Sequence, residues 1–307
     1  MPLAAAAPAA LDARPAMHDP SLGADPAWLD AQYNNRARVP EAVQILARWA
    51  ASSAAVRERL PHAADVAYGP EPGDRLDLFP AAGGAPDPRG APVLVFIHGG
   101  YWRALDKSDH SFVAEPFVRG GALVLVPNYD LSPRVTIASI AVQCARALAW
   151  AWRHAGEHGG DPRRIAVVGH SAGGHLAAML ACCDWSRVDA ALPAAPMRGA
   201  LAISGLFDLD PVQRTPFLAD DLRLAPQDVA RISPARFPAP RGPVLACVGG
   251  EESPEFIRQN GLLRERWGAA AVPVSEVLDG FNHFTVLDDL VSPQGRLHAL
   301  AWQLMAA

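Results

Sequence analysis

Continuous apolar runs mark this chain at residues 93–97, 122–126, 165–168, 200–203 and 244–248. A run with no polar alternation is the pattern of a strand buried on both faces. Between the runs, apolar residues recur at helical spacing and predict helices over about 137–154, 172–183 and 254–267. A strand near 270–278 and a helix from about 294 to 305 close the series. Strands alternating with helices imply an α/β fold, with a mostly parallel central sheet and helices on both faces. Ligands of such sheets bind beyond the carboxyl ends of the strands, so residues just after each run are the ones to search.

The rhythm is different upstream. Residues 1–25 are rich in Ala, Pro and Asp without periodicity and read as a disordered tail. Over 26–60 two helical stretches are expected; in the second, Val43, Ile45, Leu46 and Trp49 recur at roughly helical spacing and Pro40 stands near the start. Residues 66–68 and 76–79 read as a hairpin with Pro70, Pro72 and Gly73 in its turn, and 80–91 as a loop. Pro211, Pro216, Pro226, Pro234, Pro238 and Pro240 break the rhythm between 207 and 240, where a small lid-like insertion is expected. There is no internal repeat, and residues 26–307 are expected to form a single domain.

The bulk numbers narrow the function. The 307 residues are 50% hydrophobic, enough for a sizeable core, and the net charge is -5. No Lys/Arg block follows a phosphate backbone, so no nucleic-acid partner is expected. Cys144, Cys182, Cys183 and Cys247 lie in apolar runs without metal-ligand spacing and read as buried reduced thiols. The N-terminus lacks a cationic start and is interrupted by Pro8, so a signal peptide is not expected. No apolar run is long enough for a membrane span. The expected setting is the cytoplasm.

Chemistry concentrates at the predicted strand ends. Gly169-His170-Ser171-Ala172-Gly173 fits G-x-S-x-G, a pattern that chance supplies in about one chain in ten of this length at average Gly and Ser usage. Its position is more telling: it follows the run 165–168 and opens an Ala/Leu-rich helix, the place of the nucleophile elbow in α/β-hydrolases. His98-Gly99-Gly100-Tyr101-Trp102 follows the run 93–97 and resembles an oxyanion loop of the HGGG type, with Tyr101 in place of the third glycine. The backbone N–H groups of Gly100, Tyr101 and Ala172 are the candidate oxyanion donors.

A base must follow the serine in this chain order. His175 lies one helical turn past the serine and His298 in the last helix, whereas His283 occupies a loop after a strand, which favours His283. The acid is expected after the strand ending at Val248, where Glu251, Glu252 and Glu255 compete. Pro254 starts a helix that carries Glu255 away; periodicity does not choose between Glu251 and Glu252. Asp208 and Asp279 are weaker candidates.

These motifs together resemble the animal and yeast kynurenine formamidase (arylformamidase) family of α/β-hydrolases. The likeness runs from about Trp28 and takes in Tyr33, HGGYW at 98–102, Tyr129 to Pro133, GHSAGGHLAAML at 169–180, Ser204 to Leu209, S-P-E-F with R-Q at 253–259, and NHF at 282–284. It implies Ser171 as nucleophile, His283 as base and Glu252, just before S-P-E-F, as acid. The family usually has Asp there, so this chain departs from the pattern. The implied reaction converts N-formylkynurenine to kynurenine and formate without a cofactor, with Tyr101, Trp102 and Phe281 as an apolar wall for the aryl amine.

Rival readings are a general carboxylesterase of small acyl esters and a hydrolase-like binding protein without catalysis. His154-Ala155-Gly156-Glu157-His158 also fits the zinc motif H-x-x-E-H, which needs a continuous helix; Gly156 and the pair Gly159-Gly160 argue against one. A small-molecule substrate is the expected partner, and a monomer and a homodimer both remain open.

Overall fold

The computed structural model describes residues 25–83 and 89–306. The expected N-terminal tail, but for its last residue, and the middle of the 80–91 loop lie outside the described residues. Eight strands form one sheet: β1 Ala63–Ala67, β2 Arg75–Phe79, β3 Ala91–Ile97, β4 Leu123–Pro127, β5 Gly160–His170, β6 Gly199–Ile203, β7 Val244–Gly249 and β8 Ser275–Leu278. Their order is β1-β2-β4-β3-β5-β6-β7-β8. The pairs β1/β2 and β2/β4 are antiparallel, and all others are parallel. This is the mostly parallel α/β sheet that the apolar runs predict.

Successive side chains of a strand point to opposite faces, and here both faces are covered. Val93, Val95 and Ile97 of β3 join the core under helices Ile137–His154 and Ala172–Ala181. Leu94 and Phe96 join the opposite core under helices Ala42–Arg59, Ala114–Arg119, Val286–Val291 and Arg296–Ala306. That two-sided burial is why the central strands read as unbroken apolar runs. No helix among the described residues is long and apolar enough to cross a membrane.

Several elements differ from their expected form. The N-terminal segment holds three helices, Pro26–Tyr33, Asn35–Arg38 and Ala42–Arg59, because the Asn34 side chain caps a new turn where two stretches were expected. Helix Ala114–Arg119, between β3 and β4, has no counterpart in the expected series; it is six residues long with Pro116 inside, too short for a periodic signal. Helix Pro254–Ala271 extends into the expected strand, which shrinks to β8. The proline-rich insertion folds as three short α-helices, Asp210–Gln213, Pro216–Leu222 and Pro226–Ile232, followed by a 3-10 turn at Pro234–Arg236. Each has proline at its first or second position, where the missing N–H costs nothing.

The topology places the site. After β3 the chain crosses to β4 on one side, then returns to β5 on the other, so the crevice between β3 and β5 is a topological switch point. Register pairs Ile97 with Gly169, His170 with Ile203, Ile203 with Cys247, and Gly249 with Leu278. The carboxyl ends of β3, β5, β6, β7 and β8 are therefore level, and the loops leaving them converge.

Candidate active site

Ser171 joins β5 to helix Ala172–Ala181 with φ 58 and ψ −119. A non-glycine residue held at positive φ stores about 1–3 kcal/mol of strain and persists only where its surroundings enforce it. Here the Ser171 N–H donates to the Ile203 carbonyl at 2.8 Å. The flanking glycines let the turn close: a Cβ on Gly169 would stand 2.0 Å from the Gly173 oxygen, and one on Gly173 would stand 2.0 Å from the Ile97 oxygen. Both obstacles are backbone, so no side-chain movement relieves them.

His170, between the glycines, is buried, and burial pushes its imidazole well below the ordinary value. It is therefore neutral, and its Nε2–H donates to the His283 carbonyl at 2.8 Å. The serine turn is thus tied to the loop that carries the candidate base.

His283 Nδ1 lies 2.6 Å from Glu252 Oε2, with both side chains buried. The imidazole packs edge-on against Phe256, centroids 4.7 Å apart. A carboxylate at Nδ1 selects the tautomer with hydrogen there, leaving Nε2 as a lone-pair acceptor. Glu252 Oε1 accepts from the Ser204 hydroxyl and from the Gly249 N–H at 2.9 Å.

The competing carboxylates are elsewhere. Glu251 is exposed. Glu255 accepts two hydrogen bonds from Arg258 at 2.8 Å and one from the Tyr33 hydroxyl at 2.7 Å. Asp208 pairs with Arg236, and Asp279 is exposed. Ser204 and Gly249 were not singled out from sequence, although both stand at strand ends, where the search rule points.

The HGGYW loop turns back sharply after β3. Gly100, Tyr101 and Trp102 take φ of 103, 50 and 57 in succession. A Cβ on Gly100 would meet the Ala104 oxygen at 2.0 Å, and one on Gly99 would lie 3.0 Å from Ser171 Cβ, so the loop presses on the serine. Among the described residues, the N–H groups of Gly100 and Tyr101 have no hydrogen-bond acceptor. Ala172 opens its helix and lacks an intrahelical acceptor. His98 is buried, stacked on Tyr129 at 4.3 Å and hydrogen-bonded to Asn128 at 3.0 Å, which anchors the loop from below.

Gly100, Tyr101, Ser171 and His283 share one cavity of about 220 Å³. Of the three residues expected to form its wall, Tyr101 lines it and the other two do not. Trp102 is fully buried, edge-on to His175 at 5.0 Å, because its left-handed backbone turns the indole into the core. Phe281 packs on the opposite core. The apolar wall instead comes from Leu46, Trp49, Leu105, Phe217 and Phe284. Trp49 and Phe217 lie far from the motifs in sequence, and only tertiary packing brings them here.

The H-x-x-E-H segment does not present its histidines from one helix. The α-helix ends at His154, a 3-10 turn carries Glu157 and His158, and Gly159 terminates it at φ 78. The four cysteines are unpaired, and burial raises their thiols, Cys182 and Cys247 to about 12 and Cys183 to about 11, so they stay protonated near neutrality.

Residues 94–235 match a family model for the α/β hydrolase fold. The chain is 30% identical over 234 residues to a kynurenine formamidase of Danio rerio, covering 74% of this chain and 76% of that protein. A kynurenine formamidase of Salmo salar is 27% identical over 249 residues, with 78% and 81% covered. A crystal structure of a candidate thioesterase from Silicibacter sp. TM1040 superposes with TM-score 0.78 at 31% identity, over 89% of this chain and 98% of that one. An esterase of Pyrobaculum calidifontis shares the fold at 19% identity and TM-score 0.65, over 86% and 92% of the two chains. With its sheet order, its elbow geometry and these relatives, the chain belongs to the kynurenine formamidase family of α/β-hydrolases and is a hydrolytic enzyme.

Proposed function

We propose that this hydrolase uses a Ser171–His283–Glu252 triad to cleave N-formyl aryl amines, with N-formylkynurenine as substrate, to the free amine and formate. The observation that carries the reading is the buried 2.6 Å contact between His283 and Glu252 beside the cavity that also holds Ser171. In the first step His283 Nε2 takes the Ser171 hydroxyl proton as Oγ bonds to the formyl carbon. The N–H groups of Gly100, Tyr101 and Ala172 receive the oxyanion. The C–N bond then breaks as the imidazolium returns its proton to the departing amine. Water, deprotonated by His283, attacks the formyl-enzyme; as the bond from the formyl carbon to Oγ breaks, the imidazolium returns the proton to Ser171 and formate is released. Glu252 keeps the imidazole in its tautomer and stabilises the imidazolium.

The zebrafish and salmon relatives are named for this reaction, which supports the substrate class. The aromatic wall of the cavity, from Trp49, Tyr101, Phe217 and Phe284, suits an aryl amine. The test compares kcat/KM for N-formylkynurenine with that for p-nitrophenyl acetate. Preference for the formamide, abolished in Ser171→Ala, supports the proposal. Turnover confined to esters would favour a general carboxylesterase. Absence of turnover together with no fluorophosphonate labelling of Ser171 would favour a binding protein.

A further inference from the structure

We propose that the mouth of this cavity carries a carboxylate-binding subsite built from Arg36 and Asn35, so that the preferred substrate is an N-acyl aryl amine bearing an anionic group. The inference deepens the formamidase reading and rests on it. Its first support is a charge imbalance. The chain holds 32 acidic and 27 basic residues, yet the cavity lining includes Arg36 and Arg103 and no Asp or Glu. Low-dielectric walls lined by one sign of charge focus the field and concentrate the opposite ion.

The two arginines are not equivalent. Arg103 is already engaged: it pairs with Asp221, donates to the Phe217 carbonyl at 2.9 Å and lies 5.3 Å from the Phe217 ring centre. Arg36 is exposed at the mouth and has neither a hydrogen bond nor an ion pair among the described residues. An arginine so placed has its planar fork of donors free for a carboxylate.

Asn35, next in the chain and also lining the cavity, is the independent observation. It is only 5% exposed, and its Nδ2 is buried with no hydrogen-bond partner. A buried donor left without an acceptor destabilises the fold, and an incoming ligand oxygen would remove that cost. The remaining wall is apolar, from Leu46, Trp49, Leu105 and Phe217, with Ser171 in the same cavity. The ligand that complements all of this has an aromatic body, a cleavable acyl group and a carboxylate.

The test compares two formyl aryl amides, N-formylkynurenine with its carboxylate and formanilide without one, in the wild type, Arg36→Gln and Arg36→Glu. Charge removal is expected to raise KM for N-formylkynurenine by roughly tenfold, and charge reversal by more, with kcat little changed. Formanilide should stay within about twofold in all three proteins. Raised ionic strength should erode the advantage of the carboxylate substrate in the wild type and not in Arg36→Gln. Parallel changes for both substrates, or none for either, would overturn the subsite and leave the formamidase reading standing. If the wild type cleaves neither formamide, that reading fails on its own. The subsite is then judged by calorimetric titration with kynurenine: binding weakened in Arg36→Gln upholds it, and absent or unchanged binding overturns it.

Discussion

The Ser204 hydroxyl donates to the Glu252 carboxylate oxygen that faces away from His283. Ser204 stands just past β6 at φ 52, and its own N–H donates to the Cys247 carbonyl of β7 at 2.7 Å. With the Gly249 N–H on the same oxygen, the carboxylate is fixed in one orientation. In the proposed triad, Ser204 is a positioning residue acting through Glu252. A hydrogen bond to a charged group contributes about 1.5–3 kcal/mol, so Ser204→Ala should lower kcat roughly 10- to 100-fold. KM should stay within about twofold, because Ser204 does not line the cavity that holds Ser171 and His283. Steady-state kinetics on N-formylkynurenine check this, and an unchanged kcat would confine Ser204 to a packing role.

Glu252 and Glu251 should separate cleanly. Glu252→Gln replaces the carboxylate with an amide that no longer enforces the imidazole tautomer or stabilises its charge. By analogy with other triads, kcat should fall by about 10³- to 10⁴-fold. Glu251→Gln alters an exposed side chain and should leave kcat within about twofold. Glu252→Asp keeps the charge but shortens the arm, so contacts to both Ser204 and His283 cannot be kept at once; an intermediate loss is expected. Full activity in Glu252→Gln would remove it from the site.

Periodicity could not choose between these glutamates, and the structure shows why. They are adjacent, and their directions are set by how the chain leaves β7. Gly249 packs so closely on Phe281 that a Cβ would stand 2.3 Å from its oxygen, and Ser253 then caps the next helix through the Phe256 N–H. The cap is a local signal, but the close approach of Gly249 to Phe281 is tertiary, and local pattern does not encode it. Trp102 was misplaced for a similar reason: a large aromatic beside the oxyanion loop reads as a substrate wall until its backbone is known to be left-handed. By contrast, helix Ile137–His154 was legible to the residue, since its apolar stripe is strong and Thr136 caps it. The meeting of Ser171 and His283 at one cavity was legible because strand ends, motif and chain order all point to them. Asn35, Arg36 and Trp49 were not, since they reach the cavity only through folding of a segment more than a hundred residues upstream of the serine.

Two glycine substitutions should move stability in opposite directions. Gly173→Ala drives a Cβ to 2.0 Å from the Ile97 oxygen in a central strand, which cannot yield without breaking the sheet. It should lower stability by more than about 3 kcal/mol or prevent folding. Gly261 lies within helix Pro254–Ala271, where an added Cβ meets nothing within 4 Å. Gly261→Ala should stabilise by about 0.5–1 kcal/mol through helix propensity. Thermal melts of the two variants beside the wild type read both signs; a neutral Gly173→Ala would remove the steric account of the elbow.

Acid should destabilise the protein before its carboxylates begin to titrate. Burial pushes His110 down to about 3 and His175 down to about 4. His175 donates from Nε2 to the Ile232 carbonyl at 2.7 Å, while its buried Nδ1 has no partner to accept a second proton's hydrogen bond. Above an ordinary histidine value of about 6.5, both residues are neutral folded and unfolded, so stability is flat with pH. Below it, the unfolded chain binds protons that the folded chain refuses. Stability is therefore lost as pH falls, by about 1.4 kcal/mol per pH unit for each histidine, until the folded values are reached. His98 and His170, also lowered by burial, add to the same slope. Urea midpoints measured from pH 7.5 to 5 should hold level and then drop steeply below about pH 6.5. A midpoint independent of pH across that window would mean that these imidazoles accept protons within the fold.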